Sequence, residues 1–167
     1  MEKKILIFGG DGYLGWPLAM HLAKNGFDVT VCDNFSKRKW ELEIGVKPLI
    51  SVKTLHERVG FWNANFDHQI KMVVVDVSNQ RFIYDLFSIR PDIVINCADQ
   101  PSSPFSMKGI NTAQITQANN ISSGLNLLFA IKKFCPEAHY VRLGANALID
   151  FDKSKDGGAH TCCSYYE

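Results

Sequence analysis

Lys4-Ile5-Leu6-Ile7-Phe8-Gly9-Gly10-Asp11-Gly12-Tyr13-Leu14-Gly15 decides the fold. An apolar run of strand character stops abruptly at glycines, and Tyr13 to Asn25 then has helical spacing closed by Gly26. Phe27 to Cys32 is a second apolar run. Strand, glycine turn, helix and strand make a βαβ unit, which places the first two strands side by side and parallel.

The same alternation continues outward. Ile70 to Val75 reads as a third strand, and Asn79 to Ser88 as a helix with Phe82, Ile83, Leu86 and Phe87 on one side, ended by Arg90-Pro91. Ile93 to Cys97 reads as a fourth strand. A polar loop from Ala98 to Met107 follows, then a long helical stretch to about Phe134 and a fifth strand from His139 to Leu143. Phe82, Phe87, Phe129 and Phe134 have the spacing of core residues. The pattern predicts an α/β fold, a Rossmann-type doubly wound parallel sheet of strand order 3-2-1-4-5. Residues 35 to 70 are less regular and read as an insertion, with Trp40 to Ile44 and Val52 to Trp62 as short helices. From Gly144 no apolar period supports another strand or helix, so a domain over 1–149 and a loosely ordered tail over 150–167 are expected.

With 46% hydrophobic and 21% charged residues, the 167 residues suffice for one packed core. A net charge of +1 gives no field to draw nucleic acid or an anionic membrane. The N-terminal apolar run is too short for a signal peptide or membrane span, so a cytoplasmic protein is expected. Five cysteines, an odd number without paired ligand spacing, read as reduced thiols. His160, Cys162 and Cys163 lack a fourth ligand, so no metal is expected.

Glycines between a strand and a helix let backbone N–H groups approach a diphosphate at the positive end of the helix. Gly9, Gly12 and Gly15, with Tyr13 and Leu14 at the helix start, form such a G-x-x-G-x-x-G turn. Asp33 ends the second strand, where a carboxylate accepts hydrogen bonds from adenosine ribose hydroxyls. Its charge repels a 2′-phosphate and favours NAD over NADP, although Lys37 and Arg38 lie close in sequence. Asp76 and Val77, after the third strand, stand where such domains hold the adenine; Asp76 reads equally as a helix N-cap. Pro17 removes an N–H from the first helical turn.

Several strings go beyond a glycine turn: Gly9-Gly10-Asp11-Gly12-Tyr13 with Gly15-Trp16, Asp33-Asn34 with Lys37-Arg38, and His56, Arg58-Val59 and Trp62. Further along come Asp99-Gln100, Pro104-Phe105-Ser106-Met107, Thr116-Gln117, Asn119-Asn120, Leu125 to Lys132 and Leu143-Gly144. In these the chain resembles the extended short-chain dehydrogenase/reductases, and within them the UDP-sulfoquinovose synthases. The resemblance implies a recycled NAD that oxidises C4 of a UDP-hexose and later returns the hydride, with UDP-glucose and a sulfite donor as substrates. It implies cofactor contacts at Asn34, Arg38, Cys97, Ala98, Asp99 and Asn119, and substrate contacts at Gln100 and Ser103.

The family's pattern is broken at several positions. Ala145 stands where the family has a catalytic Thr, Leu148 where it has a Glu, and Pro101 where it has an Arg. Tyr166 occupies the place of the catalytic Tyr, but the Lys expected four residues later lies beyond Glu167. A phenol of pKa about 10 is ionised to only about one part in a thousand at pH 7, a deficit of roughly 4 kcal/mol. The chain alone is therefore expected to be inactive, a catalytically inert dinucleotide- or partner-binding module being the alternative. The family's sugar-nucleotide domain is missing from these residues, so an exposed apolar edge, and with it a homo-oligomer or partner chain, is expected.

Overall fold

A computed structural model describes residues 2–143 and the backbone of two short strands, Ile149–Asp150 and His160–Thr161. Five parallel strands, β1 (Lys4–Phe8), β2 (Asp28–Asp33), β3 (Ile70–Val74), β4 (Ile93–Asn96) and β5 (His139–Arg142), stand in the order β3-β2-β1-β4-β5. This is the order that the sequence predicts.

Alternation along β1 feeds both faces of the sheet. Ile5 and Ile7 join one core with Trp16, Ala19 and Ala23 of α1 (Gly15–Lys24). Leu6 and Phe8 join the other with Ile83 of α4 (Gln80–Leu86), Phe87, and Leu127 and Ala130 of α6 (Ile110–Phe134). Pro17 falls in the first turn of α1, where a helix has no intrahelical partner for an N–H.

The segment expected as an insertion divides in two. A short helix, α2 (Ser36–Glu43), buries none of its residues. The second, α3 (Leu55–Asn65), buries Leu55, Val59 and Trp62 in the same core as α1, making it the structural crossover helix from β2 to β3. Its start is fixed by a capping box in which the Thr54 N–H donates to Glu57 (2.9 Å) and the Glu57 N–H donates to Thr54 Oγ1 (3.2 Å).

Three other expectations are corrected. The loop after β4 contains a helical turn, α5 (Ser103–Ser106), because Ser102 Oγ accepts from the Phe105 N–H at 3.2 Å and Pro104 suits a helix start. Ile149–Asp150 pairs antiparallel with His160–Thr161, although no apolar period announced a strand there. Of the four phenylalanines, Phe87 is fully buried, whereas Phe82 and Phe129 are each 55% exposed. Phe87→Ala is therefore expected to cost about 3–5 kcal/mol and Phe129→Ala less than about 0.5 kcal/mol, as read by urea denaturation. Among the described residues, no helix is long and apolar enough to cross a membrane.

Candidate dinucleotide site

The chain leaves β1 at the point where the sheet's connections reverse direction, with β2 on one side and β4 on the other. A crevice opens there at the carboxyl ends of the strands, as it does in doubly wound sheets generally. It is lined by Phe8, Gly9, Asp11 and Gly12 after β1, and by Cys32, Asp33 and Asn34 at the end of β2. Ser36, Lys37 and Trp40 of α2, Val75 and Val77 after β3, Cys97, Ala98 and Asp99 after β4, and Asn119 of α6 complete it.

Gly9 is held tightly at the crevice floor. Its φ is +83°, and its N–H donates to the Cys32 carbonyl at 2.9 Å. A Cβ there would sit 2.5 Å from the Cys97 carbonyl oxygen. Gly15 is buried, and a Cβ on it would collide with the Gly9 carbonyl, so the turn packs only without side chains at both places. No side chain caps α1, and its first turn holds no acidic residue, which leaves its positive end open to an anion.

Asp33 is fixed by its backbone neighbours. Oδ2 accepts from the Asp11 N–H at 2.8 Å and Oδ1 from the Phe35 N–H at 2.7 Å. Each oxygen keeps a lone pair for a further donor. Burial pushes its pKa up from the ordinary carboxylate value, while these two backbone hydrogen bonds oppose the rise. The Cys97 thiol, pushed up to about 11 by burial and by the charge of Asp99, is neutral near pH 7.

Of the residues singled out in the sequence, Gly9, Gly12, Asp33, Asn34, Val77, Cys97, Ala98, Asp99 and Asn119 line one crevice. Tyr13 and Leu14 point outward, 86% and 55% exposed. Arg38 is turned onto Asp11. Asp76 accepts from the N–H and hydroxyl of Ser78, and the cap of α4 is Asn79, three residues later, so the N-cap alternative for Asp76 is corrected. Gln100 is buried, its side-chain carbonyl accepting from the Ser102 N–H at 2.8 Å, and Ser103 is exposed at the start of α5. Tyr166, Ala145 and Leu148 lie outside the described residues.

Three features of the site were not foreseen. Trp40 packs on Phe105 with ring centroids 5.5 Å apart, which joins α2 to α5. Asp99 is ion-paired to Arg142 at the end of β5 (3.1 Å), and Ser123 Oγ donates to the same carboxylate. Asp11 gathers both Arg38 and Arg58. Each pairs residues far apart in sequence, where no local pattern shows the partner.

This donor set suits a dinucleotide: an open helix N-terminus beside a glycine turn, and a half-buried carboxylate with spare lone pairs at the end of the second strand. Comparison with known proteins agrees. Residues 5–156 match the family model described as the NAD dependent epimerase/dehydratase family. The chain is 36% identical over 144 residues to the chloroplastic UDP-sulfoquinovose synthase of Spinacia oleracea, covering 86% of this chain and 30% of that protein. It is 34% identical over 142 residues to the UDP-sulfoquinovose synthase of Sulfolobus acidocaldarius, covering 84% of this chain and 36% of that one. It thus spans about a third of the length of these relatives. Its fold resembles that of a UDP-glucose 4-epimerase from Brucella ovis solved in complex with NAD, with a TM-score of 0.65, 19% identity, and coverage of 89% of this chain and 37% of that one. By its sequence match and its fold, the chain belongs to the NAD dependent epimerase/dehydratase family.

Proposed function

We propose that this chain is the NAD-holding part of an enzyme that modifies a sugar nucleotide, of the UDP-sulfoquinovose synthase type. The cofactor half of the reading rests on the crevice, where Asp33 stands at the end of β2 beside the uncapped start of α1. The substrate half rests on the likeness to two UDP-sulfoquinovose synthases over most of this chain.

NAD, when bound, supplies a hydride acceptor that activates the sugar by oxidising it. The chain's own residues bind and orient. Asp33 accepts from the adenosine ribose hydroxyls, Gly9 and Gly12 clear the approach to the backbone, and Asn34, Val77, Ala98, Asp99 and Asn119 wall the crevice. Purified protein is expected to retain NAD or to gain melting temperature when NAD is added. Neither retention nor a shift would overturn the reading.

The sequence supports a second reading, a catalytically inert dinucleotide- or partner-binding module, through Ala145 and Leu148 at positions where the resemblance implies catalytic side chains. Turnover of UDP-glucose with sulfite by this chain excludes it.

On α6, Ile121, Leu125, Leu128 and Phe129 are exposed along one stripe. Such a stripe supports the expectation that another protein surface covers this face. Light scattering at high concentration is then expected to give a mass above that of the monomer. A monomer throughout would contradict it.

A further inference from the structure

The glycine turn carries one charge, Asp11, whose side chain is only 8% exposed. Its carboxylate accepts from Arg38 through Nε and Nη2, the latter at 2.9 Å, and from Arg58 through Nη2. Its carbonyl takes a further bond from Arg58 at 3.2 Å, and its N–H holds Asp33. Two carboxylates and two guanidinium groups thus balance in charge.

The arginines make further contacts beyond Asp11, although Arg58 Nε is buried without a partner among the described residues. Arg58 lies over the Trp16 ring, 5.0 Å from its centroid. Beyond Asp11, Arg38 donates from Nη2 to the Lys53 carbonyl at 2.9 Å and from Nη1 to the Val52 carbonyl at 3.3 Å. Arg38 follows closely on the Asp33 turn, and an arginine near that carboxylate is the usual receptor for a 2′-phosphate on the adenosine ribose. Here its donors face a buried carboxylate and two carbonyls instead.

We propose that Asp11 is a specificity-determining residue: it keeps Arg38 occupied, so that discrimination against a 2′-phosphorylated dinucleotide rests on Asp11 together with Asp33. This rests on the reading that the adenosine ribose lies at Asp33. Asp33 repels the phosphate. Asp11 withholds the cation that would otherwise accept it. Removing the Asp33 charge alone leaves Arg38 held, whereas removing both charges frees a guanidinium beside a site that no longer repels.

The test is a set of calorimetric titrations with NAD and NADP on the wild type, Asp33→Asn, Asp11→Asn, the double variant, and the double variant carrying Arg38→Ala. The NADP/NAD affinity ratio of the double variant is expected to exceed the product of the two single effects by about tenfold, the worth of one charge-assisted contact. Arg38→Ala is expected to remove that excess. A ratio equal to the product, or an excess that survives Arg38→Ala, overturns the proposal.

If Asp11→Asn does not fold, as judged by its melting curve, Asp33→Asn and Asp33→Asn/Arg38→Ala decide. Equal NADP affinity supports a sequestered Arg38, and a weaker affinity in the second overturns it. Absence of NAD binding to the wild type strikes the underlying reading and this inference together. It differs from the case in which NAD binds and the effects merely multiply.

Discussion

Gly9→Ala is expected to destabilise the protein by about 3 kcal/mol and to abolish nucleotide binding. At φ +83° an alanine pays about 1 kcal/mol for the left-handed backbone. Its Cβ would also meet the Cys97 carbonyl oxygen at 2.5 Å and carbon at 2.6 Å, which are backbone atoms at the end of β4 that cannot swing aside as a side chain would. Forcing them apart adds about 1–3 kcal/mol and displaces the crevice wall opposite the glycine turn. For a chain of this size the melting temperature should fall by about 6–12 °C. Gly45→Ala is the control: its φ is +72°, but nothing lies within 4 Å of the added Cβ, so only the backbone cost of about 1 kcal/mol remains. Equal melting temperatures for the two variants would contradict this account of the turn.

Asp33→Ala is expected to weaken NAD binding about a hundredfold, because hydrogen bonds to a charged acceptor are worth about 1.5–3 kcal/mol each. The same variant has a pH signature without nucleotide. Burial raises the folded-state pKa of Asp33, so the native state holds its proton more tightly than the unfolded chain. That contribution is fully present below the unfolded value of about 3.9 and is lost as pH rises through the folded value. The stability difference between wild type and Asp33→Ala should therefore narrow as pH rises through this window and then stay level. Urea titrations from about pH 4 to 7 read it, and a difference that widens with pH would contradict the burial argument.

The parts of the fold that were legible in the sequence are those set by short-range periodicity. The runs ending at Phe8, near Asp33 and at Asn96 are apolar because parallel strands are covered on both sides, and their alternation with helices predicts the observed order. The glycine turn and Asp33 were legible for a related reason: both lie within one βαβ unit, where spacing alone sets their geometry.

What escaped depends on partners distant in sequence. The spacing of Leu55, Val59 and Trp62 showed a helix but not that its face meets Trp16 and Ala19, so a core element passed for an insertion. Phe82 and Phe87 share a helical pattern, yet only Phe87 turns toward the sheet to stack on Phe8, with centroids 6.4 Å apart. The Asp11–Arg58 pair spans 47 residues and the Asp99–Arg142 pair 43, and side chains so separated carry no local mark of their contact.

The most direct measurement is an amide chemical-shift map of the isotope-labelled protein titrated with NAD. Saturable shifts are predicted at Gly9 to Gly12, at Asp33 to Phe35 and at Cys97 to Asp99, the backbone around the crevice at the ends of β1, β2 and β4. Shifts gathered instead on the groove between Trp16, Phe61 and Phe66, or none at saturating nucleotide, would contradict the assignment of this crevice as the dinucleotide site.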